Sequence, residues 1–473
     1  MIAGNLVGLR HLNHRVHVTY SWLVVVDAVL FFAACYLATW LYYMPRQVSL
    51  SEHLSILPYQ ALVFTGVTVL AMLSMGLYQP RLREGANGIF LRTVGAFMLM
   101  VSGMMAIIYL VPALQLAPAV LLYAAALAFV SSLLTRELFS NTVKQEQFNR
   151  RVLVIGTGRM ANNIARKMRR TSDRHGFRIC GYLRVPGETT AVESVNILTM
   201  KQCLFDYVRQ QNIHQVVVAL DNQHDSIPAE ELLRCRMGGV SVLGILDFFE
   251  QEAGKVLVED APPEWFIFAR GFKRQLAGRA AKRLFDLCGA LFLLLLTWPV
   301  MLLTVLAIKI EDGIRAPVIF RQQRVGLNGV VFSVMKFRSM TVDAESDGKA
   351  RWAAANDARV TRVGKLIRKL RIDELPQIFN VLAGNMALVG PRPERPEFVC
   401  ELCREIPYFD NRHSVKPGIT GWAQLNYPYG ASVADARHKL EYDLYYVKNQ
   451  SLYLDFMVLL QTVEVVLFGK GAH

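Results

Sequence analysis

Four apolar blocks dominate the first third of the chain, at about 22–43, 56–78, 89–112 and 116–135. Each approaches the ~20 residues a helix needs to cross ~30 Å of hydrocarbon, so the pattern predicts four transmembrane helices within residues 1–140. Trp22, Tyr42, Tyr43 and Tyr78 stand near block ends, where amphipathic rings meet the membrane–water interface. The polar stretches between the blocks set the orientation. Arg10 and Arg15 precede the first block, Arg81, Arg83 and Arg92 lie around the second loop, and Arg136, Lys144, Arg150 and Arg151 follow the fourth. The first loop holds only Arg46 and the third no basic residue. This bias places the N-terminus and everything after residue 136 in the cytoplasm. Asp27 is expected to snorkel to the interface from its position near the start of the first block. The first apolar run starts late and is long enough to span, so no cleavable signal peptide is expected.

After residue 145 the pattern shortens to strand-length runs. Arg151–Ile155 reads as a buried strand and runs into Gly156-Thr157-Gly158-Arg159-Met160-Ala161, a GxGxxA turn opening a helix. That is the context a dinucleotide fingerprint requires. Further strands are predicted at 178–183, 216–220 and 240–245, giving a small Rossmann-like α/β domain over 145–255. Gly156 and Gly158 are its candidate cofactor-binding positions. Arg184 stands at the end of the second strand, where a ribose-binding carboxylate would be expected. The reading therefore favours a structural or regulatory domain over a nucleotide-binding one.

A fifth apolar run, Leu287–Ile308, is also long enough to cross a bilayer. Lys273, Arg274, Arg279, Lys282 and Arg283 precede it, and Lys309, Arg315, Arg321 and Arg324 follow. With both flanks basic, the charge bias is best met when both ends stay cytoplasmic. Pro299 sits near the midpoint, where its missing N–H and ring clash bend a helix. Together these predict a re-entrant helix over about 282–309, broken at Trp298 and Pro299. A kinked fifth span is the alternative.

The chain of 473 residues is 53% hydrophobic, with mean hydropathy +0.28, as a membrane protein requires. Its net charge is +14, and residues 270–374 hold 20 Lys/Arg against 9 Asp/Glu, so +11 of the excess falls there. Such a segment suits anionic headgroups and phosphorylated substrates. No nucleic-acid motif accompanies it, so no nucleic-acid partner is expected. The seven cysteines are scattered, and Cys400-Glu401-Leu402-Cys403 lacks a second pair, which argues against a disulfide framework or a zinc site.

The chemistry concentrates in four short segments. Arg371-Ile372-Asp373-Glu374-Leu375-Pro376-Gln377 puts two carboxylates after a cationic helix, where positive charge would keep an Asp ionised as nucleophile or metal ligand. Lys336-Phe337-Arg338-Ser339-Met340 offers two cations for a diphosphate. Pro391-Arg392-Pro393 holds a guanidinium between stiff residues, and Lys416-Pro417-Gly418-Ile419-Thr420-Gly421-Trp422 follows. Near the C-terminus, Asp443 could add an acid to the site, while the surrounding tyrosines suit packing.

In this order the segments resemble the bacterial polyprenyl-phosphate hexose-1-phosphate transferases, the monotopic phosphoglycosyl transferases, over residues 271–473. The N-terminal part fits their larger subfamily. The resemblance implies a fold of four transmembrane helices, a central Rossmann-like domain and a C-terminal α+β catalytic domain with a re-entrant helix. It implies transfer of hexose-1-phosphate from a UDP-sugar to polyprenyl phosphate at the cytoplasmic face of the bacterial inner membrane. UMP is released, and exopolysaccharide, capsule or O-antigen assembly begins. Asp373 would be nucleophile and Mg²⁺ ligand, Glu374 its assistant, and Lys336, Arg338 and Arg392 phosphate holders, with a homodimer as the assembly. Where the family commonly has Ser-Pro at the helix break, this chain has Trp298-Pro299 after Thr297. Two other classes share parts of this pattern. A membrane-bound NAD-dependent dehydratase or epimerase needs a Tyr-x-x-x-Lys pair, which is absent from the sequence. A non-catalytic regulator of polysaccharide assembly would be expected to carry degenerate motifs.

Overall fold

The computed structural model describes residues 14–46, 55–78, 86–142, 150–168, 177–193, 197–198, 203–221, 228–269, 271–272, 276–341, 359–427, 430 and 432–468. The basic positions Arg10, Arg81, Arg83, Lys144, Lys273 and Arg274 lie outside them. Two compact units divide the chain, Met1–Ala253 and Gly254–His473.

The first unit opens with helices α1 (His14–Tyr43), α2 (Leu57–Ser74), α3 (Ala86–Leu110) and α4 (Pro118–Thr142). All four contain segments long and apolar enough to cross a membrane. Small and apolar side chains such as Ala38, Ala61, Ala124 and Phe64 fill the seams between them, as close helix packing in lipid requires.

Asp27 does not snorkel. It is fully buried, and its Oδ2 accepts from Tyr78 Oη (2.8 Å) and Arg136 (3.1 Å) while Oδ1 accepts from Thr135 (2.8 Å). A carboxylate with three donors and a counter-ion can stay inside the bundle. Its principal partners come from α4, more than a hundred residues away, so local position gave no sign of them.

The same unit contains β1 (Arg150–Ile155), α5 (Arg159–Lys167), β2 (Phe177–Leu183), β3 (Ile197–Leu198), α6 (Leu204–Gln210), β4 (Gln215–Val218), α7 (Ala229–Met237), β5 (Ser241–Gly244) and α8 (Ile245–Ala253). The strands form one parallel sheet in the order β3-β2-β1-β4-β5. Leu153, Ile155, Val208 and Val216 form its core. This is the expected Rossmann-like arrangement.

The second unit begins at Gly254, two residues inside the end expected for the α/β domain, and includes residues 256–269 of the stretch the sequence reading left unassigned. Gly254 O accepts from Trp422 Nε1 (2.8 Å), and Lys255 pairs with buried Glu441 (3.0 Å). Then follow α9 (Pro263–Phe268), α10 (Leu276–Asp312), the antiparallel hairpin β6 (Ile319–Val325) and β7 (Val331–Phe337), and α11 (Arg362–Lys369). A 3₁₀ turn (Ile372–Glu374) leads to α12 (Gln377–Ala383), β8 (Ala387–Val389), α13 (Pro396–Glu405), β9 (Gly418–Thr420), α14 (Trp422–Asn426), α15 (Val433–Asn449) and α16 (Leu452–Phe468). Strands β8 and β9 pair in parallel.

Helix α10 runs uninterrupted through Trp298 and Pro299, so the expected break in the helix is corrected to a continuous element. A proline can bend a helix without ending it, and here Thr297 Oγ1 and Thr304 Oγ1 bond the carbonyls of Leu293 (2.7 Å) and Val300 (2.8 Å). Such back-bonding also favours bending. Both ends of α10 are fastened to the second unit. Arg283 donates to Val381 O (2.6 Å) and Leu382 O (2.8 Å), while Asp286 accepts from Leu388 N (3.1 Å). At the other end Glu311 accepts from the N–H groups of Arg362 (2.8 Å) and Val363 (2.9 Å), and Ile308 packs with Phe337 and Ile367.

Candidate active site

Three segments far apart in sequence meet at Glu374. Strand β7 delivers Lys336, and the loop after β8 delivers Arg392. Lys336 Nζ lies 3.1 Å and an Arg392 nitrogen 2.9 Å from the same Glu374 Oε1. The 3₁₀ turn that carries the carboxylates starts from Arg371, which has left-handed backbone (φ 58°). For a non-glycine residue this conformation costs about 1–2 kcal/mol, and such strain clusters at functional sites. It ends α11 sharply and turns Asp373 and Glu374 off the line of the basic helix.

The two adjacent carboxylates are electrostatically unlike. Burial alone would push Glu374 up, but Arg392, Lys336 and Arg371 together hold it well below the usual carboxylate range. Burial and then the Glu374 charge push Asp373 up, against Lys336, Arg368 and Arg371. The sequence reading assigned the cationic setting to Asp373; the ion pairs in fact go to Glu374. No hydrogen bond or ion pair engages the Asp373 side chain among the described residues, although it is 91% buried. Lys336 is itself lowered, first by burial and then by Arg392, with Glu374 opposing.

Arg338 lies one residue beyond the end of β7. Its backbone N–H donates to Val318 O (2.8 Å), and its buried NH1 has no hydrogen-bond partner among the described residues. Leaving such a donor unpaired costs roughly 1–3 kcal/mol, which an anion would relieve.

Asp443 makes no hydrogen bond to Asp373 or Glu374 among the described residues, yet it lines the same cavity as Glu374 and Arg392. It is buried against Arg412 at 2.8 Å. Burial pushes its carboxyl up to about 6, with Arg412 opposing and Glu394 reinforcing the rise. The same Arg412 donates to Arg392 O (2.9 Å), and Arg324 donates to Pro393 O (3.0 Å). These two arginines clamp the Pro391–Pro393 loop that presents Arg392. On the other side, Asn380 accepts from Met335 N (3.0 Å) and donates to Ser333 O (2.7 Å), tying β7 to α12. The sequence reading counted Arg324 only as a basic flank of the fifth apolar run, and it missed Asn380 and Arg412. Only Asn380 had a local signal, as a polar residue within the apolar run Ile378–Leu382.

The Lys416–Trp422 segment forms β9 and pairs Val389 with Thr420, so its contribution is to hold the strand leading into Arg392. Gly390 and Gly418 meet backbone to backbone, where a Cβ on either would clash. Tyr446 is buried, donating to Val389 O (2.9 Å), and Tyr445 stacks on Trp422. The tyrosines therefore pack, as expected.

A cavity of about 810 Å³ opens beside the cluster. Arg371, Glu374 and Arg392 line its charged end, and Phe285, Phe292 and Leu293 of α10 belong to its apolar wall. Such a cavity accepts a ligand that is charged at one end and hydrocarbon at the other.

The pattern of the bacterial sugar transferase family matches residues 277–469, and that of a CoA-binding domain matches 74–227. The chain is 50% identical over 268 residues to the UDP-N-acetylgalactosamine-undecaprenyl-phosphate N-acetylgalactosaminephosphotransferase of Aeromonas hydrophila, covering 54% of this chain and 60% of that protein. It is 33% identical over 333 residues to the UDP-glucose:undecaprenyl-phosphate glucose-1-phosphate transferase of Xanthomonas campestris pv. campestris, covering 68% of each. It is 30% identical over 351 residues to the UDP-galactose-lipid carrier transferase of Erwinia amylovora, covering 70% of this chain and 71% of that protein. The chain belongs to the bacterial sugar transferase family.

Proposed function

We propose that this protein transfers a sugar-1-phosphate from a UDP-sugar to undecaprenyl or a related polyprenyl phosphate, the first step in assembling a surface polysaccharide. The single observation that carries the chemistry is the division of labour at Asp373-Glu374: one carboxylate gripped by Lys336 and Arg392, its neighbour buried and unengaged. The names of the relatives supply the substrates.

In this reading the Asp373 carboxylate attacks the phosphorus that bears the sugar. The bond from that phosphorus to the UMP oxygen breaks, and UMP leaves with the electron pair. An oxygen of the lipid phosphate then attacks the same phosphorus, the bond to Asp373 breaks, and the carboxylate is restored. Glu374 keeps Lys336 and Arg392 fixed where negative charge accumulates, and preorganised cations of this kind lower such barriers. Arg338 offers a further donor. The apolar wall of α10 would carry the start of the lipid tail.

A Mg²⁺ ion fits these residues. Among the described residues no cluster of three ligating side chains exists, but Mg²⁺ characteristically takes one or two carboxylates and completes its shell with water and substrate phosphates. Asp373, with no protein partner, would hold it, and Glu374 lies adjacent. When bound, the ion supplies charge neutralisation on the diphosphate.

The re-entrant topology is part of the proposal. Arg283 and Glu311 are 28 residues apart, about 42 Å in a straight helix, yet both bond the same compact unit. That fits a bent helix leaving and rejoining one face of the membrane, with the catalytic unit in the cytoplasm at the inner membrane. A homodimer is the proposed assembly, to be checked by mass measurement in nanodiscs.

The decisive experiment incubates the protein with UDP-sugar alone. Intact-mass analysis should show a sugar-phosphate adduct on the wild type and none on Asp373→Asn, and labelled UMP should exchange into UDP-sugar. Full turnover with neither signal would mean direct attack by the lipid phosphate.

A further inference from the structure

The CoA-binding pattern over residues 74–227 implies coenzyme A in the α/β domain, and the glycine turn there does not fit it. In a doubly wound sheet the ligand crevice lies at the carboxyl ends of the strands where their order reverses. Here that is the gap between β1 and β4. The N–H groups opening the helix after β1 would ordinarily cradle phosphate oxygens. In this chain they are already taken. Thr157 N donates to Glu188 (2.7 Å), and Arg159 N and Met160 N donate to the two oxygens of Asp221 (2.8 and 2.7 Å). Asp221 N in turn lies 3.4 Å from Glu188 Oε1.

Glu188 follows β2 and Asp221 follows β4, so the two carboxylates close the crevice from opposite sides. A Cβ at Gly158 would run into both of them, and at Gly156 (φ 119°) into the Ala219 carbonyl. The glycines are thus required by the chain's own groups. The cavity beside Glu188 and Asp221 measures about 100 Å³, against roughly 300–1,000 Å³ for cofactor sites.

We infer that this domain is self-liganded: Glu188 and Asp221 occupy the anion site of the glycine turn and exclude the diphosphate of coenzyme A or a dinucleotide. An incoming diphosphate would have to displace three charge-assisted bonds and sit against two like charges.

The test uses full-length protein in nanodiscs. In equilibrium dialysis at millimolar ligand, the wild type should retain neither coenzyme A nor NAD. Glu188→Ala/Asp221→Ala should open the turn and bind inorganic phosphate at least about tenfold more tightly than wild type, since the N–H groups are then free. Should that variant fail to fold, Glu188→Gln/Asp221→Asn keeps the acceptor oxygens and loses the charge, so its melting temperature should fall. Saturable retention of coenzyme A or NAD by the wild type, abolished by Gly158→Val, overturns the inference. An unchanged melting temperature in the Gln/Asn variant overturns it as well.

Discussion

Lys336 reaches Glu374 Oε1 at 3.1 Å, and Arg392 reaches that same oxygen at 2.9 Å. One oxygen gathers two cations from separate segments, and the adjacent Asp373 has neither as a hydrogen-bonded partner.

The two carboxylates should therefore fail differently. Asp373→Asn removes the proposed nucleophile, and turnover should fall by roughly 10⁴ to 10⁶. Glu374→Gln loosens two cations but spares the attacking oxygen, so the loss should be smaller, about 10²- to 10³-fold. Exchange of labelled UMP into UDP-sugar should survive in the Glu374 variant and vanish in the Asp373 variant. Equal loss of exchange in both would remove the distinction.

The pH profile should report Asp373. Burial and the Glu374 charge push it up, and a nucleophilic carboxylate must be ionised. The acid limb of kcat/KM is therefore expected above the ordinary aspartate value of ~3.9. Lys336 is one of the charges holding it down, so Lys336→Met should move the limb to still higher pH. A stationary limb would show that another group titrates.

Asp443 should leave a stability signature. Its folded-state value of about 6 lies above that of an unfolded aspartate, so folding favours the protonated form. That contribution is present below pH ~4 and is lost as pH rises through about 6, on the order of 3 kcal/mol in all. The melting-temperature difference between wild type and Asp443→Asn in detergent should change across that window and be flat above it. A difference that is constant from pH 4 to 7 contradicts the assignment.

Both flanks of α10 should face one side of the membrane. In a cysteine-free background, single cysteines at Arg279 and Arg315 should be equally protected from an impermeant external reagent in intact cells. Labelling of one alone would establish a fifth span.

The Asp27–Arg136 pair should behave as a buried pair. Asp27→Asn leaves Arg136 without its counter-ion, which typically costs about 3–5 kcal/mol, whereas Asp27→Leu/Arg136→Met should recover most of the loss. Thermal unfolding in detergent separates these outcomes, and two additive losses would rule out coupling.

Composition and periodicity by themselves determined the apolar helices and the parallel α/β pattern, because hydrophobic spacing is written locally in the chain. The resemblance carried by the order of the basic and acidic boxes grouped Asp373, Glu374, Lys336 and Arg392, and the structure brings Lys336, Arg392 and Glu374 together. Only the tertiary structure decided which carboxylate takes the cations, since Lys336 and Arg392 arrive from a strand and a loop whose aim depends on β7, β8 and their clamps. It paired Asp443 with Arg412 in the wall of the cavity that Glu374 and Arg392 also line, with no hydrogen bond to either carboxylate of the pair among the described residues. It turned Asp27 from an interfacial residue into a buried ligand of Arg136, and filled the GxGxxA turn with Glu188 and Asp221. In each case the partner lies well beyond a helical turn along the chain, from 18 residues for Arg392 and Glu374 to 109 for Arg136 and Asp27. Coulomb energy falls with distance through space, and distance along the chain does not specify it.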